Sequence, residues 1–234
     1  MSENTTEIIA ALDLESLADE QALLDKLHGV VRFFKVGLRL FTAHGRRAVE
    51  LVHRAGGEVF LDLKLHDIPQ TVAHAVQEAQ KMGVASLSLH TLGGLDMLRA
   101  AAEVRPRPKL WGVTVLTSFS DADVAAIFPH MSAHTLALHL AQTAKAARLD
   151  GIICSGHEVR PLRKALGEDP CFIVPGIRPE GHAVHDQKRV VTPAQAVELG
   201  IRFAVVGRPI THDPEPRNAA MAVLAEIRNA RLKG

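Results

Sequence analysis

The chain has 234 residues, 47% hydrophobic and 23% charged, with 27 Lys and Arg against 26 Asp and Glu. No basic tail or acidic block is present, so charge offers no footing for a nucleic-acid or membrane-surface partner. No apolar run reaches the ~18 residues of a membrane span, and the opening MSENTTEIIAALDL is polar and acidic, unlike a signal peptide. A cytoplasmic protein of one domain over 1–234 is expected, long enough to bury roughly 70% of its unfolded surface. Cys154 and Cys171 stand outside any CxxC and read as small apolar residues near strands.

Eight short runs rich in Val, Ile, Leu and Phe follow one another, at 7–13, 30–37, 57–64, 84–90, 109–116, 150–155, 171–177 and 202–207. Segments of helical period lie between most of them, at 17–27, 45–55, 72–82, 137–147 and 194–199, and 216–232 closes the chain. After the fifth run, SFSDADVAAIFPH reads as a loop with a short helix, and Ser132 as the N-cap of a longer one. Strands alternating with helices imply a parallel sheet. Eight such units in a chain of this length fit an α/β fold of the (β/α)8 TIM-barrel class. A doubly wound open sheet is the structural rival, weakened because no GxGxxG follows the first run.

The third run carries charges where core is expected. In FLDLKLHDIPQT, Leu61, Leu63 and Leu65 share one face by strand alternation, and Asp62 and Lys64 the other. The leucines suit the layer between strand and helix, so Asp62 and Lys64 point toward the barrel axis. Ile68-Pro69 ends the strand, which puts these charges at its carboxyl end, where barrel active sites are built. A self-satisfied buried ion pair is the plain alternative, since unpaired charges there cost several kcal/mol each. Asp13 ends the first strand and Lys35 lies near the end of the second. Three consecutive strands thus bring charges of alternating sign to one rim, the pattern of a prepared electrostatic site.

A second cluster follows strands seven and eight. VPGIR places Gly176 and Arg178 in the seventh loop, and VVGRPI places Gly207 and Arg208 at the end of the eighth strand. Backbone N–H groups of these loops commonly bind phosphate in such barrels, and Arg adds a permanent planar fork. A phosphorylated substrate anchored there, with its reacting part over the Lys/Asp array, is expected. The long segment GIRPEGHAVHDQKR (176–189) is the candidate lid.

The stretch DLKLHDIPQT (62–71) closely resembles the DxKxxDIPxT signature of the orotidine 5'-phosphate decarboxylase family, and ALD, FKVG, LTS, PGIRPEG, DQKRVVTPAQA and VVGRPIT resemble its bacterial members in order along the chain. The resemblance implies a cofactor-free and metal-free decarboxylase of orotidine 5'-phosphate. Lys64 would donate the proton to C6, Asp62 would lie beside the substrate carboxylate, and Lys35 and Asp67 would complete a Lys–Asp–Lys–Asp chain. Asp13 and Lys35 would bind ribose hydroxyls, with Thr117 and Pro175 near the base. Arg178, Gln187, Gly207 and Arg208 would hold the phosphate. A homodimer is implied, with Asp67, Ile68 and Thr71 reaching the neighbouring subunit's site. Val174 and Gln70 depart from common family choices at positions without a charged role.

Other readings remain. Metal-dependent sugar-phosphate decarboxylases and synthases of the same barrel resemble this strand, yet they typically carry an acid where Lys35 stands. A silent nucleotide-phosphate binder needs the arginines but not the paired lysines and acids. Thirteen histidines invite a metal site, but His130/His134 and His182/His185 lack an HExxH pattern. His66 and His90 border the array without an assigned role, and Trp111 reads as packing.

Overall fold

The structure is a computed structural model, and it describes residues 5–168, 170–179 and 190–233. Its strands are β1 (Glu7–Ala11), β2 (Phe33–Gly37), β3 (Glu58–Leu65), β4 (Ser86–His90), β5 (Lys109–Val113), β6 (Gly151–Ile153), β7 (Phe172–Val174) and β8 (Phe203–Val206). All eight coincide with the apolar runs read from the sequence; seven are trimmed at one or both ends, and β3 starts one residue later and runs one residue further, to Leu65. They pair in parallel, each with the next, and β8 closes on β1. Closure excludes the open doubly wound sheet.

The helices are α1 (Leu17–Leu27), α2 (Leu38–His44), α3 (Arg46–Arg54), α4 (Pro69–Lys81), α5 (Gly94–Glu103), α6 (Asp121–Ile127), α7 (Ala133–Ala146), α8 (Gly156–Leu166), α9 (Pro193–Glu198), α10 (Arg208–Thr211) and α11 (Pro216–Lys233). Ser132 caps α7 by accepting the N–H of Thr135, as its sequence position predicts. Pro69 and Pro193 open α4 and α9, where the missing N–H has no intrahelical partner to lose. The periodicity pattern does not single out α2, α5 or α8. α2 is seven residues long, and α8 contains Pro161, so neither offers a long uninterrupted stripe.

Two apolar layers result from strand alternation. Outward residues such as Leu61, Leu87 and Val174 join the helices in the larger core. Inward residues fill the barrel: Ile9, Phe33, Phe60, Trp111, Ile173 and Phe203 among them. Phe33, Phe60, Trp111 and Phe203 pack with ring centroids 4.5 to 6.1 Å apart, forming an aromatic floor. Trp111 is packing, as expected. Gly151 makes room for it, since a Cβ there would lie 2.8 Å from the indole and 2.6 Å from Ile173. No helix among the described residues is long and apolar enough to cross a membrane.

One buried group stands apart from this order. Glu20 on α1 is fully buried, and neither carboxylate oxygen has a hydrogen-bond partner among the described residues. Burial raises its pKa from 4.5 to about 8, because the charged form loses its hydration. The unfolded chain therefore releases this proton at lower pH than the folded chain does. The stability that the neutral carboxyl permits is fully present below pH 4.5 and declines as pH rises toward 8, by at most ~1.4 kcal/mol per unit. Glu20→Gln should be more stable than the parent at pH 8 by about 2–4 kcal/mol, with the gap shrinking toward pH 5. Urea unfolding at both values measures it, and an identical gap at each would show that Glu20 is not buried as a neutral acid.

Candidate active site

Strand register assembles the site. Ala11 pairs with Lys35, and Gly37 with Asp62, so the ends of β1, β2 and β3 rise together. Phe60 of the aromatic floor lies one inward position below Asp62 on the same strand. Asp13 follows β1, and its carboxylate accepts from the Lys35 ammonium at 2.9 Å. Lys35 is 3.7 Å from Asp62. The Lys64 ammonium donates to both oxygens of Asp62 at 2.9 Å. The four side chains thus form a continuous row, Asp13–Lys35–Asp62–Lys64, with alternating sign. Gly37 matters to this row, because a Cβ there would lie 2.8 Å from the Lys35 amine and 2.9 Å from Asp13.

Asp62 is buried in the middle of the row. Burial acts to raise its pKa, but Lys35, Lys64 and the hydroxyl of Ser88 outweigh it and hold the carboxyl below the usual carboxylate range. The Ser88 hydroxyl donates to Asp62 at 2.8 Å. Lys64 itself adopts φ +49°, uncommon for a side-chain-bearing residue. The β3–β4 register shifts between Leu61 and Leu65. The expected alternation therefore holds through Asp62 and then bends, and the Lys64 side chain returns to Asp62 across a bulge.

Across the barrel mouth, Arg178 is buried after β7, and Arg208 follows β8 at the start of α10. One cleft of ≈ 540 Å³ joins both ends. Asp13, Lys35, Asp62, Lys64, Thr117, Pro175, Arg178, Gly207 and Arg208 all line it, and its volume suits a small molecule. Lys35, Arg39, Lys64, Arg178 and Arg208 line it against Asp13 and Asp62, an excess of positive charge that favours an anionic ligand. Val113, Val115, Leu116 and Ile153 supply apolar wall.

Asp67, Ile68 and Thr71 do not line this cleft and are exposed, Ile68 at 67%. The Asp67 carboxylate accepts the N–H of Ile68 at 2.6 Å. Gln187 lies outside the described residues, as do residues 180–189 of the candidate lid. His66 and His90 stack at 5.8 Å beside the array. Burial, then His66 and Lys64, lower the pKa of His90, favouring neutral imidazole. No three His, Cys, Asp or Glu side chains among the described residues group as metal ligands.

Ser88 and Arg39 are among the site residues that escape the sequence reading. Ser88 sits in VASLSLH, where a small inward polar residue looks like strand filler. Arg39 lines the mouth, pairs with Glu15 and donates to the Asp13 carbonyl at 3.4 Å. It lies on α2, the helix that periodicity does not single out.

Fold and site together define a (β/α)8-barrel enzyme with a cleft for an anionic small molecule, ionic at one end and arginine-lined at the other. Residues 6–223 match the model of the Orotidine 5'-phosphate decarboxylase / HUMPS family, and the chain belongs to that family. It is 42% identical over 232 residues to the orotidine 5'-phosphate decarboxylase of Geotalea daltonii, covering 96% of this chain and 97% of the relative. It is 43% identical to that of Opitutus terrae, covering 95% and 99%. The crystal structure of orotidine 5'-phosphate decarboxylase from Lactobacillus acidophilus superposes with TM-score 0.82 at 36% identity, covering 94% of this chain and 98% of that one.

Proposed function

We propose that the chain decarboxylates orotidine 5'-phosphate to UMP and CO2, using protein groups alone for the chemical step. The observation that carries this reading is the buried Asp62 carboxylate held between the ammonium groups of Lys35 and Lys64. Breaking the bond from C6 to the carboxylate leaves its electron pair in an sp2 orbital at C6, which the ring π-system cannot delocalise. The protein must therefore stabilise that charge directly. A fixed ammonium at Lys64 gains attraction as charge moves from the carboxylate to C6. Lys64 then delivers a proton to C6, CO2 departs, and solvent reprotonates the amine. Asp62, close to the substrate carboxylate, disfavours the bound acid relative to the product side.

The remaining cleft residues support binding. Asp13 and Lys35 would take ribose hydroxyls, and Thr117 and Pro175 would flank the base. Arg178, Gly207 and Arg208 would hold the phosphate, joined by Gln187. Phosphate binding energy, remote from C6, helps orient the ring for the chemical step. The rival sugar-phosphate reading requires a divalent ion. The Lys35 ammonium already occupies the space between Asp13 and Asp62, which opposes a second cation there.

We further infer a homodimer in which Asp67, Ile68 and Thr71 of each subunit complete the neighbouring site. What supports this arrangement is that the three follow the array in sequence yet are exposed and stand outside their own chain's cleft.

Lys64→Ala should abolish measurable conversion of orotidine 5'-phosphate, followed by ultraviolet absorbance, while UMP binding persists; substantial residual turnover would remove Lys64 as proton donor. Arg208→Ala should weaken use of the nucleotide by roughly 2–4 kcal/mol in kcat/KM, yet barely alter the rate with a substrate lacking phosphate. Equal losses with both substrates would reject its phosphate role. For the shared site, mixing inactive Lys64→Ala and Asp67→Ala chains should restore activity, because a mixed dimer holds one intact site. Failure to recover any turnover after subunit exchange would mean that each site is self-contained.

A further inference from the structure

Neighbouring strands of a parallel pair normally advance in step. Here β3 moves four positions, from Leu61 to Leu65, while β4 moves two, from Leu87 to Leu89. Ser88 stands at the centre of that mismatch, fully buried. Its hydroxyl accepts the backbone N–H of Lys64 at 2.8 Å and donates to Oδ1 of Asp62 at 2.8 Å. The Lys64 ammonium closes the circuit by donating to Asp62. One hydroxyl therefore ties together the backbone of Lys64, at its left-handed φ, and the carboxylate that receives its amine.

Resting on the decarboxylase reading above, we propose that Ser88 is a positioning residue for the proton-transfer step. It holds the main chain of Lys64 and the carboxylate of Asp62 in one fixed relation, so that the amine is aimed before substrate arrives. Two properties make the hydroxyl suited to this. It both accepts and donates, so one group satisfies a buried N–H and a buried carboxylate oxygen together. It also keeps the bulge narrow, because a backbone N–H without a β4 partner would otherwise need water inside the barrel wall. Ser86, one inward position below on β4, gives a contrast. It is equally buried, but its hydroxyl has no hydrogen-bond partner among the described residues.

The charged groups around Asp62 are Lys35 from β2, Lys64 from β3 and, beyond Lys35, Asp13 from the end of β1. Ser88 is the neutral donor among them, and it contributes to the lowered pKa of Asp62. Its loss should therefore move the titration of Asp62 upward without removing a charge from the site.

Steady-state kinetics and pH profiles of the full chain and of S88A, S88T and S86A test the role. S88A should lower kcat by about 10- to 100-fold, leave KM within about threefold, and shift the acid limb of the kcat profile upward by about one pH unit. S88T, which keeps the hydroxyl, should recover most of the rate, and S86A should stay within about twofold of the parent. An S88A chain with the parent's kcat and an unmoved acid limb would overturn the proposal. So would equal losses in S88A and S86A, which would make burial alone the cause. If S88A does not fold, S88C replaces it, with similar volume and a weak donor; an unmoved acid limb in S88C is then the overturning result. A parent chain that leaves orotidine 5'-phosphate unchanged refutes the activity itself, whereas an active parent with an unaffected S88A refutes the Ser88 role alone.

Discussion

A carboxylate inside a barrel is expensive unless positive charge meets it, and Asp62 is met from two sides. Lys35 approaches from β2 and Lys64 from its own strand. Either lysine without Asp62 would be a cation close to another cation, and Asp62 without them would be a bare buried acid. The three therefore stabilise one another, and Asp13 extends the balance at the rim. Much of the site's geometry follows from this mutual dependence. Gly37 lacks a side chain because the Lys35 amine and Asp13 fill that space, and β3 bulges so that Lys64 can turn back onto Asp62.

The scaffold makes such an arrangement tolerable. Below the charges, four aromatic rings pack across the barrel interior, so the ionic row rests on an apolar base. Outside the strands, the larger apolar core holds them against the helices. A left-handed backbone conformation at Lys64 costs of order 1–3 kcal/mol, and a well-packed surround is what lets it persist. Glu20 shows a similar tolerance without an evident catalytic use: the folded chain accepts a neutral buried acid on α1.

The cleft joins two kinds of electrostatics. At β1 to β3 the charges alternate and nearly cancel, which suits a reaction in which negative charge moves over a few ångströms. At β7 and β8 Arg178 and Arg208 supply positive charge that suits a fixed anion. Separating these tasks lets binding strength at one end act on orientation at the other. Membership of the Orotidine 5'-phosphate decarboxylase / HUMPS family accords with that division.

Period and order along the chain carried the architecture. Eight apolar runs separated by helical segments admit few topologies, and strand alternation by itself places Asp62 inward. Local chemistry was equally readable at Ser132, Pro69 and Pro193, since caps and helix starts depend on neighbours in sequence. Ring closure, the row of contacts from Asp13 to Lys64, and the partners of Ser88 and Arg39 were not, because each depends on register between strands distant in sequence. A two-position slip between β3 and β4 leaves no mark in either strand's composition, yet it decides that the Ser88 hydroxyl meets Lys64 and Asp62. Which charges become neighbours is set by how the strands align in space, and that alignment comes from the packing of the whole barrel.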